Sequence, residues 1–113
     1  MSILFDLQVA LKPLEIPMET GAYTGTAPEK YIVVVPLVDT YELFADNAPG
    51  AEVQEARISM FCKGNYLSAK NAVVRALLSA DFTITDRRYN GYEAETGYHH
   101  YVVDVAKHYE MEE

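Results

Sequence analysis

Tryptophan is absent, cysteine occurs once, and no stretch approaches the roughly 20 consecutive apolar residues that a membrane span requires. With Cys62 alone, an intramolecular disulfide is excluded, and the fold must be held by its core. Half of the 113 residues are hydrophobic, enough for one domain that buries roughly two thirds of the surface its unfolded chain exposes. Basic residues are scarce. Nine stand against seventeen acidic ones, and the formal net charge of −8 opposes general adhesion to nucleic acid or anionic membrane. The basic start and small-residue cleavage site of a signal peptide are also missing, so the expectation is a soluble intracellular protein with no membrane partner.

The motifs that carry common chemistries are lacking too. There is no nucleophile elbow, Walker loop, dinucleotide fingerprint or cysteine–histidine metal spacing. Thr24-Gly25-Thr26 is not followed by the lysine and hydroxyl residue of a phosphate loop. His100, Asp104 and His108 would share a face of a helix, but in the strand expected there, residues four apart lie about 13 Å from each other. Adjacent His99 and His100 should then point to opposite faces. Glu93 and Glu95 sit in turn-like sequence that cannot hold two carboxylates at a fixed separation. Arg87-Arg88 reads as salt bridging rather than a phosphate patch. No cofactor, metal or enzymatic activity is expected.

What is present centres on residues 52–89, which read as strand, helix, strand. Gln54, Ala56, Ile58, Met60 and Cys62 share one parity, opposite Val53, Glu55, Arg57, Ser59 and Phe61, the alternation of a half-buried strand. Ile58, Met60 and Cys62 should face the core, making Cys62 a packed thiol. Gly64 breaks the strand and Asn65 is placed as a helix N-cap. From Tyr66, the apolar positions Tyr66, Leu67, Val73, Val74, Leu77 and Leu78 recur at helical spacing, with Lys70, Asn71 and Arg75 largely outside the stripe. Phe82 and Ile84 alternate with Thr83 and Thr85 in a second strand.

Elsewhere, residues 2–14 fit a helix capped by Ser2 and striped by Ile3, Leu4, Leu7, Leu11 and Leu14, or a strand alternating at Ile3, Phe5, Leu7, Val9 and Leu11; length and the stop that Pro13 supplies near Lys12 favour the helix. A loosely structured connection follows, with residues 22–24 as a short extended piece. Residues 31–38, YIVVVPLV, are apolar on both parities and predict a strand covered on both faces, with a bulge or edge near Pro36. Residues 39–51 hold turn chemistry at Asp46-Asn47 and Pro49-Gly50, with room for a short strand at residues 41–44. Asn90-Gly91 and Glu95-Thr96-Gly97 bracket a long hairpin tip before a last strand over residues 98–109. The prediction is an α+β fold: a mostly antiparallel sheet of about four strands, with an N-terminal helix and one central amphipathic helix packed against it.

Charge is unevenly spread. Residues 57–88 hold six basic and two acidic residues, a local +4, which leaves −12 for the remainder of the −8 total. No basic residue lies between Lys30 and Arg57, where Asp39, Glu42, Asp46, Glu52 and Glu55 surround Tyr41, Leu43 and Phe44. This acidic segment reads either as a solvated loop folded over its own aromatics or as a partner-binding arm.

The strand ending in Lys63-Gly64-Asn65-Tyr66, the amphipathic helix, the Phe82-Thr83-Ile84 strand and the Thr96-Gly97-Tyr98-His99-His100 entry to the last strand together resemble the tail-completion, or tail-to-head joining, proteins of long-tailed bacteriophages and prophages. Ala27-Pro28-Glu29-Lys30-Tyr31-Ile32 is similar to that family's way into its first long strand, so the resemblance covers most of the chain beyond about Gly25. It implies a small, non-catalytic structural domain that assembles as a ring, typically a hexamer, where the tail tube meets the head connector. Its expected partners are copies of itself, the head connector and tail-tube proteins. DNA would pass through the ring without specific binding, and the protein would reside in the virion after assembly in the host cytoplasm. Head-to-tail closure needs two different patches. On charge, these are the acidic segment with Tyr41, Glu42, Leu43, Phe44 and Asp46, and a neighbour's basic surface near Arg57, Lys70, Arg75 or Arg87. The alternative from another class is a non-enzymatic adaptor that binds one protein through a sheet edge or the acidic loop.

Overall fold

Ser2 caps the first helix by accepting from the Phe5 amide, and α1 (Ile3–Leu11) buries Ile3, Leu7 and Leu11, spaced one turn apart on a single face. Pro13 ends it in a 3-10 turn (Lys12–Leu14), and Glu15 then turns the chain through a left-handed conformation. The strands are β1 (Met18–Thr20), β2 (Lys30–Leu43), β3 (Pro49–Lys63), β4 (Thr83–Glu93) and β5 (Tyr98–Glu110), and α2 (Tyr66–Ser79) lies between β3 and β4. The computed structural model describes the backbone of residues 2–43 and 49–110 and the side chains of residues 2–40 and 51–110.

These elements form an α+β fold with one five-stranded sheet, in the order β1-β2-β3-β5-β4. Only β1 and β2 pair in parallel; β2–β3, β3–β5 and β5–β4 are antiparallel. The sheet has five strands rather than the four expected. The extra one is β1, which falls at Met18–Thr20 instead of residues 22–24; three residues are too few to show alternation. The acidic segment is also more regular than its turn residues suggest. β2 runs on to Leu43, and Pro49-Gly50 opens β3 instead of forming a turn. Phe44 and Asp46 lie outside the described residues. A register shift skips Leu37, the bulge expected at Pro36. A second shift, at Asn90, places Asn90-Gly91 inside β4, so the hairpin tip is confined to residues 94–97.

Both helices cover the same sheet face. Ile58 and Met60 of β3, Ile32 and Val34 of β2, and Val103 and Val105 of β5 meet Leu7, Val73 and Leu77 in one core. The alternation expected in β3 holds, from buried Gln54 through buried Cys62, and burial raises the pKa of the Cys62 thiol. Two polar ties anchor α1. Gln54 Oε1 accepts from the Ile3 amide at 2.8 Å, and Tyr109 Oη donates to Asp6 Oδ2 at 2.6 Å. Burial and that bond together hold the Tyr109 hydroxyl well above its ordinary pKa.

Residues 31–38 depart from expectation. Ile32 and Val34 are buried under the helices, but Leu37 and Val38 are 42% and 49% exposed, so the second face has no covering layer there. In α2 the buried stripe is Ala69, Val73 and Leu77, while Leu67 and Leu78 lie outside it at 49% and 57% exposed. The helix ends where the Phe82 amide donates to the Leu77 carbonyl and the Asp81 amide to that of Leu78, a closing turn that requires a left-handed residue. Asp81 fills it at φ 65° where glycine is the usual occupant. Asp81→Gly is therefore expected to stabilise the fold by about 0.5–1 kcal/mol, measured as a higher denaturation midpoint with unchanged slope.

Candidate interaction surface

Strand alternation sends every second side chain to the sheet face away from the helices, where water-facing positions are ordinarily polar. Here that face carries Tyr31, Val33 and Val35 from β2, Phe61 from β3 and Val102 from β5. Register brings the aromatic members into a row. Tyr31 stacks on Phe61 at 4.8 Å and 13°, and Phe61 stacks on His100 at 4.3 Å and 15°. Tyr98 meets Tyr31 edge-on at 5.4 Å, and its hydroxyl donates to the Pro28 carbonyl. After Thr20 the chain leaves the sheet edge at Gly21, φ 86°, and brings Tyr23 to 4.8 Å from Tyr31. A groove of about 340 Å³ results, lined by Gly21, Tyr23, Tyr31, Val33, Val35 and Phe61, with Ala22 and Ser59.

Four residues along the strands from the aromatic row lies an ionic one. Arg57 grips Asp104 through two bonds, Nε to Oδ1 at 2.9 Å and Nη2 to Oδ2 at 3.1 Å. Arg88 pairs with Asp86 and reaches to 4.0 Å of Asp104. Val102, opposite Ser59 and Arg88 on this face, is 2% exposed.

His100 joins the two rows. Asn90 Nδ2 donates to its Nδ1 at 3.1 Å, which places the neutral ring's proton on Nε2, a buried atom without a hydrogen-bond partner among the described residues. Burial, with Arg88 and Arg57 nearby outweighing Glu93, lowers the His100 pKa. Between its ordinary value near 6.5 and the lower folded value, the unfolded chain binds the extra proton. The stability this confers is therefore complete above about pH 6.5 and is lost as pH falls toward the folded value. The expected result is a decline in unfolding free energy below about pH 6.5 that His100→Phe flattens; parallel curves for the two proteins would contradict it.

His99 points the other way, as alternation requires. Its Nδ1 meets Tyr89 Oη at 2.8 Å, and its ring lies among Tyr66, Tyr89 and Tyr92. His100, Asp104 and His108 are strung along one face of β5, with Asp104 held by Arg57; among the described residues no three potential ligands converge. No described helix is long and apolar enough to cross a membrane.

The residues singled out from sequence do not form one surface. Arg57 lies on the open face, committed to Asp104. Lys70 is on the helical side, its Nζ 5.4 Å from the Tyr101 ring centre. Arg75 is exposed on α2, beside Leu14, Ala72 and Ser79. Arg87 is exposed on β4 opposite buried Val103, again on the helical side. Tyr41, Glu42 and Leu43 complete β2, with their side chains outside the described set. The open-face residues Tyr31, Phe61, His100, Arg88 and Asp104 were not singled out as a group. Their signal was available in the second parity of each strand, but joining those parities needed the register. No family model matches the chain, and no curated protein matches its sequence.

Proposed function

We propose that this chain is a non-enzymatic structural protein of a long-tailed phage or prophage that forms a ring, typically hexameric, at the head–tail interface and joins or terminates the tail. The observation that carries the reading is the sheet covered on one face only. A small domain whose second face carries half-buried Tyr31, Val35 and Phe61 around an open groove, beside buried Val33, gains from covering that face with another protein. The α+β architecture is also the one that the tail-completion resemblance implies. The ring would contact the head connector on one side and the tail tube on the other. Its surplus negative charge, −8 per chain, would keep passing DNA from adhering to a lumen. The protein would wait in the host cytoplasm until it entered the virion.

Assembly complementation tests this reading. Tailless heads and finished tails are mixed with and without the folded protein, and joined particles are scored by electron microscopy. Joining that depends on the protein is expected. Failure in a matched phage system would favour the adaptor reading, to which the uncovered backbone edge of β2 is also suited.

A further inference from the structure

We propose that neighbouring copies join edge to edge, residues 38–43 of β2 in one copy pairing with residues 86–89 of β4 in the next, so that their sheets become continuous. This deepens the ring reading and rests on it. Among the described residues, β2 and β4 are the long strands with an open side. β1 covers β2 only at residues 32–34, and the chain then leaves the edge at Gly21. β4 pairs on one side alone, with β5. Unpaired strand edges present rows of amides and carbonyls that accept another strand.

The bulges set the limits of the contact. On β2, Pro36 and the shift at Leu37 interrupt the ladder, and regular pairing resumes at Val38. On β4, shifts at Thr85 and Asn90 bound a regular run over residues 86–89. Outside these windows the bulges disfavour pairing, which also holds the two edges to one register.

Charge selects the unlike edge as the partner. Residues 35–43 contain Asp39 and Glu42 and no basic residue, whereas residues 86–89 contain Arg87 and Arg88 with Asp86, which is paired with Arg88, so that Arg87 is the surplus positive charge of that run. Asp39 is opposite buried Gln54, and Arg87 is opposite buried Val103, so both exposed residues stand on the helical side of the sheet. In a continuous sheet they meet across the new strand pair on the same face. Pairing β2 with β2 would instead oppose like charges. Because the two edges differ, the contact is heterologous and propagates from copy to copy until it closes.

The test is a cysteine trap on the full chain carrying Asp39→Cys and Arg87→Cys. The native Cys62 is 4% exposed and stays in place as the parent control. Oxidation at millimolar concentration is expected to give a ladder of covalent multimers ending in one closed species, seen by denaturing gel and intact mass. The parent should give none, and either single variant at most a dimer. In parallel, Asp39→Lys should reduce self-association measured by sedimentation at least tenfold, with Arg87→Glu in the same chain restoring it. Oligomers by sedimentation without a ladder would overturn the edge pairing and leave a ring built otherwise. A ladder without a closed species would keep the edge pairing and overturn the ring. Neither oligomer nor ladder would overturn both.

Discussion

Replacing Leu77 with alanine is expected to lower the unfolding free energy by about 2–5 kcal/mol. Leu77 is fully buried in the core shared by both helices and the sheet, and its carbonyl accepts the Phe82 amide that closes α2. Losing its side chain removes transfer energy and leaves a cavity between elements that cannot easily collapse together. A domain of this size has on the order of 5–15 kcal/mol in total, so the variant should melt on the order of 10 °C lower or more. The neighbouring substitution Leu78→Ala is the control. At 57% exposed, Leu78 should matter by no more than about 0.5 kcal/mol. Equal effects at the two sites, read from paired denaturant titrations, would show that α2 does not present the face described.

The second large effect is expected at Asp104, where alanine should cost about 1–2 kcal/mol. Exposed ion pairs are usually worth less. Here the carboxylate side chain is only 12% exposed and accepts two bonds from one guanidinium. Arg57 itself is 37% exposed and can turn to water, which keeps the figure at the lower end. Asp104→Ala also leaves Arg57 and Arg88 facing each other with Asp86 alone between their charges. Arg57→Ala should therefore cost less, because Arg88, already 4.0 Å away, can take over the freed carboxylate. High salt should shrink the difference. The two single variants and the double variant, compared in one cycle, give the coupling directly; an Arg57→Ala loss exceeding that of Asp104→Ala would contradict the arrangement.

The parts of the fold legible in sequence are those where one face is buried and the other is not. β3 and the core of α2 carry that contrast residue by residue, and Ser2, Asn65 and Gly64 mark boundaries by local chemistry. β1 was missed because its pairing is tertiary: three residues are held by β2 and announce nothing alone. Residues 31–38 misled for a related reason. An apolar stretch whose far end is left exposed, as at Leu37 and Val38, reads the same as one buried throughout. The turn signals at Pro49-Gly50 and Asn90-Gly91 were overridden by long strands that absorbed them at an end or in a bulge. The charged candidates were visible as types, but whether Arg57 served a neighbour or Asp104 depended on a pairing 47 residues away.

The place of β5 has a consequence for synthesis. It follows all other strands in the chain, yet it lies between β3 and β4. A ribosome that has finished β4 has therefore produced a strand with no neighbour to receive it, and a β3 still open along one side. The helical layer gains its full floor only when Val103 and Val105 arrive. Until then, the nascent chain has one hairpin, β2–β3, and an α2 that packs on half a sheet. If copies pair edge to edge as proposed, the β4 edge would be on offer only once β5 is inserted, so a chain still lacking β5 would be a poor recruit.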